Sequence, residues 1–166
     1  MSVTAYIALG SNLENPGYQL QRAVDNIDSE KNINLLCCSK LYQSDPVGPA
    51  GQPDYCNAVV SIETRLAPEL LLDTLQAIED KHGRVRAVKW GARTLDLDII
   101  LYGDHIINTP RLTIPHQQMH VRSFVLYPLH DLAPELMVPE YGAVSGLLNN
   151  VDANGVQQIA ESWPWY

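Results

Sequence analysis

Arg93-Thr94-Leu95-Asp96-Leu97-Asp98-Ile99-Ile100-Leu101 is the stretch on which the reading of this chain turns. From Thr94 onward the residues alternate at the period of a β-strand, so Leu95, Leu97, Ile99 and Leu101 are expected on one face and Asp96 with Asp98 on the other. A half-exposed strand whose solvent face carries two Asp accounts for that pattern without chemistry. Asp is, however, disfavoured in strands, and two like charges side by side repel unless a cation lies between them. Two residues along a strand span about 6.6 Å, from which two carboxylates can bridge a pair of divalent cations about 3.5 to 4 Å apart. The local charge balance favours this second reading. Between Arg84 and Arg122 the chain carries six basic residues (Arg84, Arg86, Lys89, Arg93, Arg111, Arg122) and three acidic ones (Asp96, Asp98, Asp104), whereas the remainder carries five basic and sixteen acidic. An acidic protein has concentrated cationic side chains around its Asp pair, as a site for a metal-bound polyphosphate requires.

Outward from that stretch, 166 residues with 46% hydrophobic and 18% charged residues fit a single globular domain, 1–166, with a proper core. A net charge of -8 argues against bulk binding to nucleic acid or to an anionic membrane, so an anionic ligand must be held by a local patch. No apolar run approaches the roughly 18 residues of a membrane span. Met1 to Gly10 lacks a charged leader and runs straight into Ala5-Tyr6-Ile7-Ala8-Leu9. Cys37, Cys38 and Cys56 are odd in number, and the adjacent pair reads as small core hydrophobes, which places the chain in a reducing cytoplasm.

Taken in order, a strand at about Thr4 to Leu9 ends at the turn Gly10-Ser11-Asn12. Asn15-Pro16 then reads as an N-cap and first helical position, with Leu20, Val24 and Ile27 at helical spacing to about Ser29. Ile33 to Tyr42 reads as one strand with Ile33, Leu35, Cys37, Ser39 and Leu41 on one side. Ser44 to Asp54 is a proline- and glycine-bearing loop long enough to lean towards function. Tyr55 to Thr64 is the third strand, and its polar Asn57 is either an edge residue or a ligand-reading group. Ala67-Pro68-Glu69 opens a second helix with the stripe Leu71, Leu75, Ile78 and His82, stopped at Gly83. Residues 84–92 are polar and basic without periodicity, and are expected to be a mobile loop that closes over bound phosphates. Gly103-Asp104 reads as a hairpin turn into Ile106 and Ile107. The order is βαββαβ, an α+β, ferredoxin-like antiparallel sheet with helices on one face. Short helices at Ser123 to Leu129 and Ala143 to Asn149, and an edge strand within Val156 to Trp163, complete the expectation.

Arg84-Val85-Arg86, Trp90-Gly91-Ala92-Arg93-Thr94-Leu95-Asp96-Leu97-Asp98 and Pro115-His116-Gln117-Gln118-Met119-His120-Val121-Arg122 together resemble the 6-hydroxymethyl-7,8-dihydropterin pyrophosphokinase family. The likeness begins at Ala5-Tyr6-Ile7-Ala8-Leu9-Gly10-Ser11-Asn12-Leu13, continues through Gly51-Gln52-Pro53-Asp54-Tyr55-Cys56-Asn57-Ala58, and reaches Phe124-Val125-Leu126-Tyr127-Pro128-Leu129 and Ala133-Pro134, covering about 4–138. The chain departs from the family at Lys89, Ala92, Gln117 and Val121, which bears on the details of ATP contacts. The resemblance implies transfer of the β,γ-diphosphate of ATP, as co-substrate, to the hydroxymethyl oxygen of the dihydropterin with two Mg2+ ions, releasing AMP. It implies Asp96 and Asp98 as metal ligands, and Arg84 and Arg93 on the phosphates. Gln76, Glu79, Arg86, Trp90, Ile99, Arg111, Thr113, His116 and Arg122 would line the ATP site. Tyr55 and Phe124 would stack on the pterin, Asn57 would read its edge, and Ser44 and Val47 would assist. Small-molecule substrates, a monomeric state and a cytoplasmic setting go with it, without nucleic acid or membrane. Such chemistry suits the residues, because phosphoryl-type transfer demands positioning and charge neutralisation more than covalent catalysis.

Two other readings share parts of the pattern. A metal-dependent phosphohydrolase or nuclease also uses D-x-D with nearby arginines, but has no use for the Tyr55, Asn57 and Phe124 trio. A non-enzymatic ferredoxin-like ligand-binding module has no need of paired Asp facing clustered Arg. A P-loop kinase is disfavoured because no G-x-x-x-x-G-K-[ST] occurs.

Overall fold

Alternation along β1 (Val3–Ser11) sends Ala5, Ile7 and Leu9 to a fully buried face and Tyr6, Ala8 and Gly10 to the opposite one. The computed structural model describes residues 1–12, 15–45, 51, 53–83, 95–161 and 163–165. After β1 come α1 (Pro16–Asp28), β2 (Ile33–Cys38), β3 (Leu41–Ser44), β4 (Tyr55–Thr64), α2 (Pro68–Lys81) and β5 (Asp96–Tyr102). Then follow β6 (Ile107–Asn108), β7 (Thr113–Ile114), α3 (Ser123–Leu132), β8 (Met137–Val138), β9 (Gly142–Ala143), α4 (Val144–Leu148) and β10 (Val156–Ala160). The main sheet runs β10-β3-β4-β1-β5, all neighbours antiparallel, with β2 pairing β4 alongside β3. Counting β2 and β3 as one interrupted strand, this is the expected ferredoxin-like order, with β10 added at an edge.

Helices α1 and α2 lay Leu20, Val24, Ile27, Leu71, Leu75 and Ile78 on the Ala5, Ile7 and Leu9 face. Each such fully buried Leu or Ile contributes about 1.5–3 kcal/mol of burial. A second cluster, with Val59, Ile100, Leu101, Met119, Val125 and Leu129, lies under α3 and α4 on the other side of the sheet. Helices therefore cover both faces rather than one, and β4, whose residues 56 to 62 are all buried, is apolar on both sides for that reason.

Several local expectations are corrected. Leu101 leaves the Leu97–Ile99 face and joins the second cluster, because Tyr6 pairs with Leu101 and Ile7 with Ile99, making Ile100 an extra, bulged residue. A similar shift between Leu35 and Cys37 turns Cys37 out to solvent and leaves Cys38 half-buried, so neither belongs to the fully buried core. The strand expected over Ile33 to Tyr42 breaks at Ser39, whose hydroxyl donates to the Lys40 carbonyl (2.7 Å) and accepts the Val59 amide (2.9 Å). Gly103 does turn the chain, with the His105 amide donating to the Tyr102 carbonyl at 3.1 Å, but β6 pairs forward with β7 rather than back onto β5. Asn15 stands at the N-cap of α1 in the left-handed region (φ 57) without a side-chain cap bond. The tail beyond Pro139 supplies the expected edge strand as β10 and, in addition, the buried Trp165, whose indole donates to the Ser39 carbonyl at 3.1 Å. The expected closing loop at 84–92 lies outside the described residues.

Candidate functional site

The face of β1 turned towards α3 shrinks residue by residue, from Tyr6 to Ala8 to Gly10, as it leaves the second apolar cluster. Gly10 pairs with Asn57 of β4 on one side and with Asp96 of β5 on the other, so these three residues form one row across adjacent strands. Strands lie about 4.8 Å apart, which puts Asn57 and Asp96 about 10 Å from each other with no side chain between them. A Cβ built at Gly10 would stand 3.5 Å from Asn57 Oδ1, in the open floor of the site. One step along the strands, Ala8 pairs with Asp98. The two carboxylates therefore stand beside the two smallest residues on this face of β1.

A cavity of about 520 Å3 opens on this row. Its walls include the expected Ser44, Tyr55, Asn57, Asp96, Asp98, His116, Arg122 and Phe124. Asn57 is buried, and its Nδ2 donates to Ser44 Oγ at 2.6 Å, which locks the amide against β3. Phe124, in the first turn of α3, carries the Arg122 guanidinium over its ring, with Cζ 5.6 Å from the centroid. A second cavity of about 370 Å3 shares Asp98 and His116 with the first and takes in Ile99, Arg111 and Thr113. Asp98 and His116 stand where the two spaces meet.

His116 is the most strongly perturbed histidine among the described residues. Burial, and then the positive Arg122 nearby, push its pKa down to about 4, so the imidazole is neutral near pH 7. Its Nδ1 accepts the Gln118 amide at 3.2 Å, which leaves the ring proton on Nε2 as a donor. Gln118 Oε1 accepts Arg122 Nη2 at 2.7 Å, so one residue braces both His116 and Arg122. Behind them the His116 amide donates to the Ile100 carbonyl at 3.0 Å, tying this segment to β5 at its bulge.

Of Glu79, Gln76 and Arg111, also expected on the nucleotide, Arg111 alone lines one of these spaces. Glu79 is buried and its Oε2 accepts the Leu97 amide at 2.7 Å, fixing the beginning of β5 from behind. Half-buried Gln76 also lines neither of the two cavities. Arg111 reaches the second cavity but pairs with Asp73 and, at 3.6 Å, with Glu69 of α2, which raises its pKa. Val47, Arg84, Arg86, Trp90 and Arg93 lie outside the described residues. Gly10, Ala8, Asp45 and Gln118, to which the sequence assigned no site role, also line the first cavity, as does Val121, one of the departures from the family. The small residues at positions 8 and 10 of β1 were the legible signal for two of them, since on a strand they share the face opposite Ile7 and Leu9.

The family model described as 7,8-dihydro-6-hydroxymethylpterin-pyrophosphokinase (HPPK) matches residues 6–134. A Haemophilus influenzae protein named 2-amino-4-hydroxy-6-hydroxymethyldihydropteridine pyrophosphokinase is 53% identical over 146 residues, 88% of this chain and 91% of its own length. A Pseudomonas aeruginosa protein of the same name is 49% identical over 154 residues, 93% of this chain and 95% of its own. Among solved structures, a Plasmodium falciparum HPPK-DHPS crystal structure with pteroate superposes with a TM-score of 0.72 at 14% identity, over 90% of this chain. The chain spans 41% of that longer protein, and the likeness there is one of fold.

Proposed function

Since the chain belongs to the 7,8-dihydro-6-hydroxymethylpterin-pyrophosphokinase family, we propose that the larger cavity takes the pterin and that the adjoining one takes ATP. The chain is an ATP-dependent diphosphotransferase that passes pyrophosphate from ATP to hydroxymethyldihydropterin in folate biosynthesis. The hydroxymethyl oxygen bonds to the β-phosphorus, the bond to the bridging oxygen of the α-phosphate breaks, and AMP leaves. The observation that carries the assignment is the row Asn57–Gly10–Asp96. A flat bicycle that offers its polar edge to Asn57 and lies between Tyr55 and Phe124 extends its hydroxymethyl arm across Gly10 towards the carboxylates. Offset stacking on the two rings adds about 0.5–1.5 kcal/mol beyond burial.

Asp96 and Asp98 offer only oxygen donors on one open strand face, with no third carboxylate, Cys or His grouped beside them among the described residues. That donor set fits Mg2+, which favours one or two carboxylates completed by water and substrate phosphates. Two ions held there would neutralise the triphosphate and acidify the attacking hydroxyl. The chain's own groups do the rest on this reading. Neutral His116 offers its Nε2 proton to a phosphate oxygen, Arg122 adds charge beside it, and Thr113 and Ile99 line the nucleotide space. Arg84 and Arg93 contact the phosphates, with Arg86 and Trp90 also on the nucleotide and Val47 on the pterin. Gln76 and Glu79 support the nucleotide from the end of α2. One catalytic domain, working as a cytoplasmic monomer on small molecules without nucleic acid, fits the free thiols Cys37, Cys38 and Cys56 and the net charge of -8. Among the described residues no helix is long and apolar enough to cross a membrane.

Purified protein given ATP, Mg2+ and hydroxymethyldihydropterin is expected to form AMP in equal amount to the pterin diphosphate. Release of ADP or inorganic phosphate at the same rate with or without pterin would point instead to a phosphohydrolase, and would overturn the assignment of the two cavities.

A further inference from the structure

One carboxylate outside the cavity joins two of the elements that form its walls, β3 and α3. Asp131, in the last turn of α3, accepts the Tyr42 hydroxyl at 2.7 Å and the Lys40 amide at 3.3 Å through Oδ2. Its Oδ1 stands 4.0 Å from the half-exposed Lys40 Nζ, a long contact that contributes little. The bond from Tyr42 is the strong one, a hydroxyl on an ionised acceptor. Tyr42 itself is buried, and its ring lies 6.5 Å from that of Tyr127 of the same helix.

The spacing along both elements gives this contact its meaning. Phe124 and Asp131 are seven residues apart, two helical turns, and so share a face of α3. Tyr42 and Ser44 are two apart on β3 and share its face, and the strand partner of Tyr42 is Asn57. Along the seam between helix and strand, Tyr42–Asp131 closes one end, while at the other the cavity opens between Phe124 and the bonded pair Ser44–Asn57. The arrangement is that of a clamp pinned at its closed end.

We infer that Asp131 and Tyr42 are positioning residues for the reaction, their bond fixing the separation of α3 from β3 and with it the width of the slot between Phe124 and Asn57. The inference rests on the reading that this slot takes the pterin. Neither residue lines the cavity, so their effect reaches the substrate through the strand and the helix. The second cavity draws on β5, β7 and α2 and is untouched by this seam.

The test compares KM for hydroxymethyldihydropterin and for ATP in Tyr42→Phe, Asp131→Asn, Asp131→Ala and, as reference, Asn57→Ala. Tyr42→Phe keeps the ring and its packing and removes the hydroxyl. It is expected to raise the pterin KM about tenfold, the size of one lost charge-assisted hydrogen bond, and to leave the ATP KM within about twofold. Asp131→Ala is expected to match it, while Asp131→Asn, whose amide oxygen still accepts the hydroxyl, recovers most of the loss. A merely structural role would lower the melting temperature and leave the ratio of the two KM values unchanged, and that result overturns the inference. Equal losses for both substrates overturn it as well. Should Asn57→Ala raise the pterin KM while Tyr42→Phe does not, the clamp alone is wrong. Should neither raise it, the pterin assignment fails and takes the clamp with it.

Discussion

On one face of the sheet α1 and α2 press Leu20, Val24, Leu71 and Leu75 against Ala5, Ile7 and Leu9, all within 2% exposure, and the buried polar groups at the end of that side, Gln19, Glu79 and His82, are held in hydrogen bonds within the protein. On the other face α3 and α4 seal the end around Ile100, Leu101, Val125 and Leu129, and then stop short of Gly10, Asn57, Asp96 and Asp98. Both faces are made by the same strands, because successive residues point to opposite sides. The site takes its rigidity from this contrast: Leu97 and Ile99 anchor β5 in the core, and the same backbone holds Asp96 and Asp98 out over the open floor. Buried Glu79 strengthens that anchorage by holding the Leu97 amide between the two carboxylates.

The largest effects that can break this contrast come from the open face. Asp96→Ala and Asp98→Ala are each expected to lower turnover by at least the order of 10³, the upper range for loss of a charge-stabilising group. Both variants should keep the far-ultraviolet circular dichroism and cooperative melting of the parent. A variant that melts early, or one that still releases AMP at near-parental rate under saturating Mg2+, would remove the division of labour between the faces. Leu75→Ala on the packed face should do the reverse. A loss of about 2–5 kcal/mol is expected in urea unfolding, with both KM values of the folded fraction unchanged.

Asn57→Ala sharpens the comparison, since this buried side chain lies at the border between floor and wall. Pterin binding should weaken by about 1–3 kcal/mol, the cost of an unpaired polar edge, and ATP binding should change far less. Calorimetry giving the same loss for both ligands would detach Asn57 from the pterin.

The effect confined to acidic pH comes from His116. Because burial and Arg122 hold His116 down to about 4, the folded protein keeps neutral a group that the unfolded chain protonates below about 6.5. The unfolded state thus binds more protons across that window. Stability from this group is fully present above pH 6.5 and falls as pH drops towards 4, by up to about 1.4 kcal/mol per unit. His82, also lowered by burial, adds a slope of the same sign. His116→Gln should flatten the decline between pH 6.5 and 4 in urea titrations, and an unchanged slope would mean that the ring is not held neutral.

The pairing of Asp96 with Asp98 on one face, the three long strands, the two covering helices and, apart from His116 and Arg122, which were expected on the nucleotide, the cavity set Ser44, Tyr55, Asn57 and Phe124 were legible in the chain. The first three follow from periodicity, which is local, and the last from motifs whose order along the chain resembles one family. What periodicity could not supply is where it slips. The bulges at Ile100 and between Leu35 and Cys37 move Leu101 to the other cluster and Cys37 to solvent, and each exists because of how a neighbouring strand pairs. Glu79 and Arg111 belong to the same class, since a carboxylate on the Leu97 amide and a guanidinium on Asp73 are partnerships across more than fifteen residues of chain.

Local alternation and helical spacing thus set which side chains could act, because each depends on the residue and its near neighbours. Which of them face a shared space was settled by pairing across strands and by the length of α3. The row Asn57–Gly10–Asp96 joins positions from three separate strands, and it stays open because the covering helix begins at Ser123 rather than further along the sheet. A distance across a sheet is a sum of strand spacings, and no pattern along a single segment carries that sum.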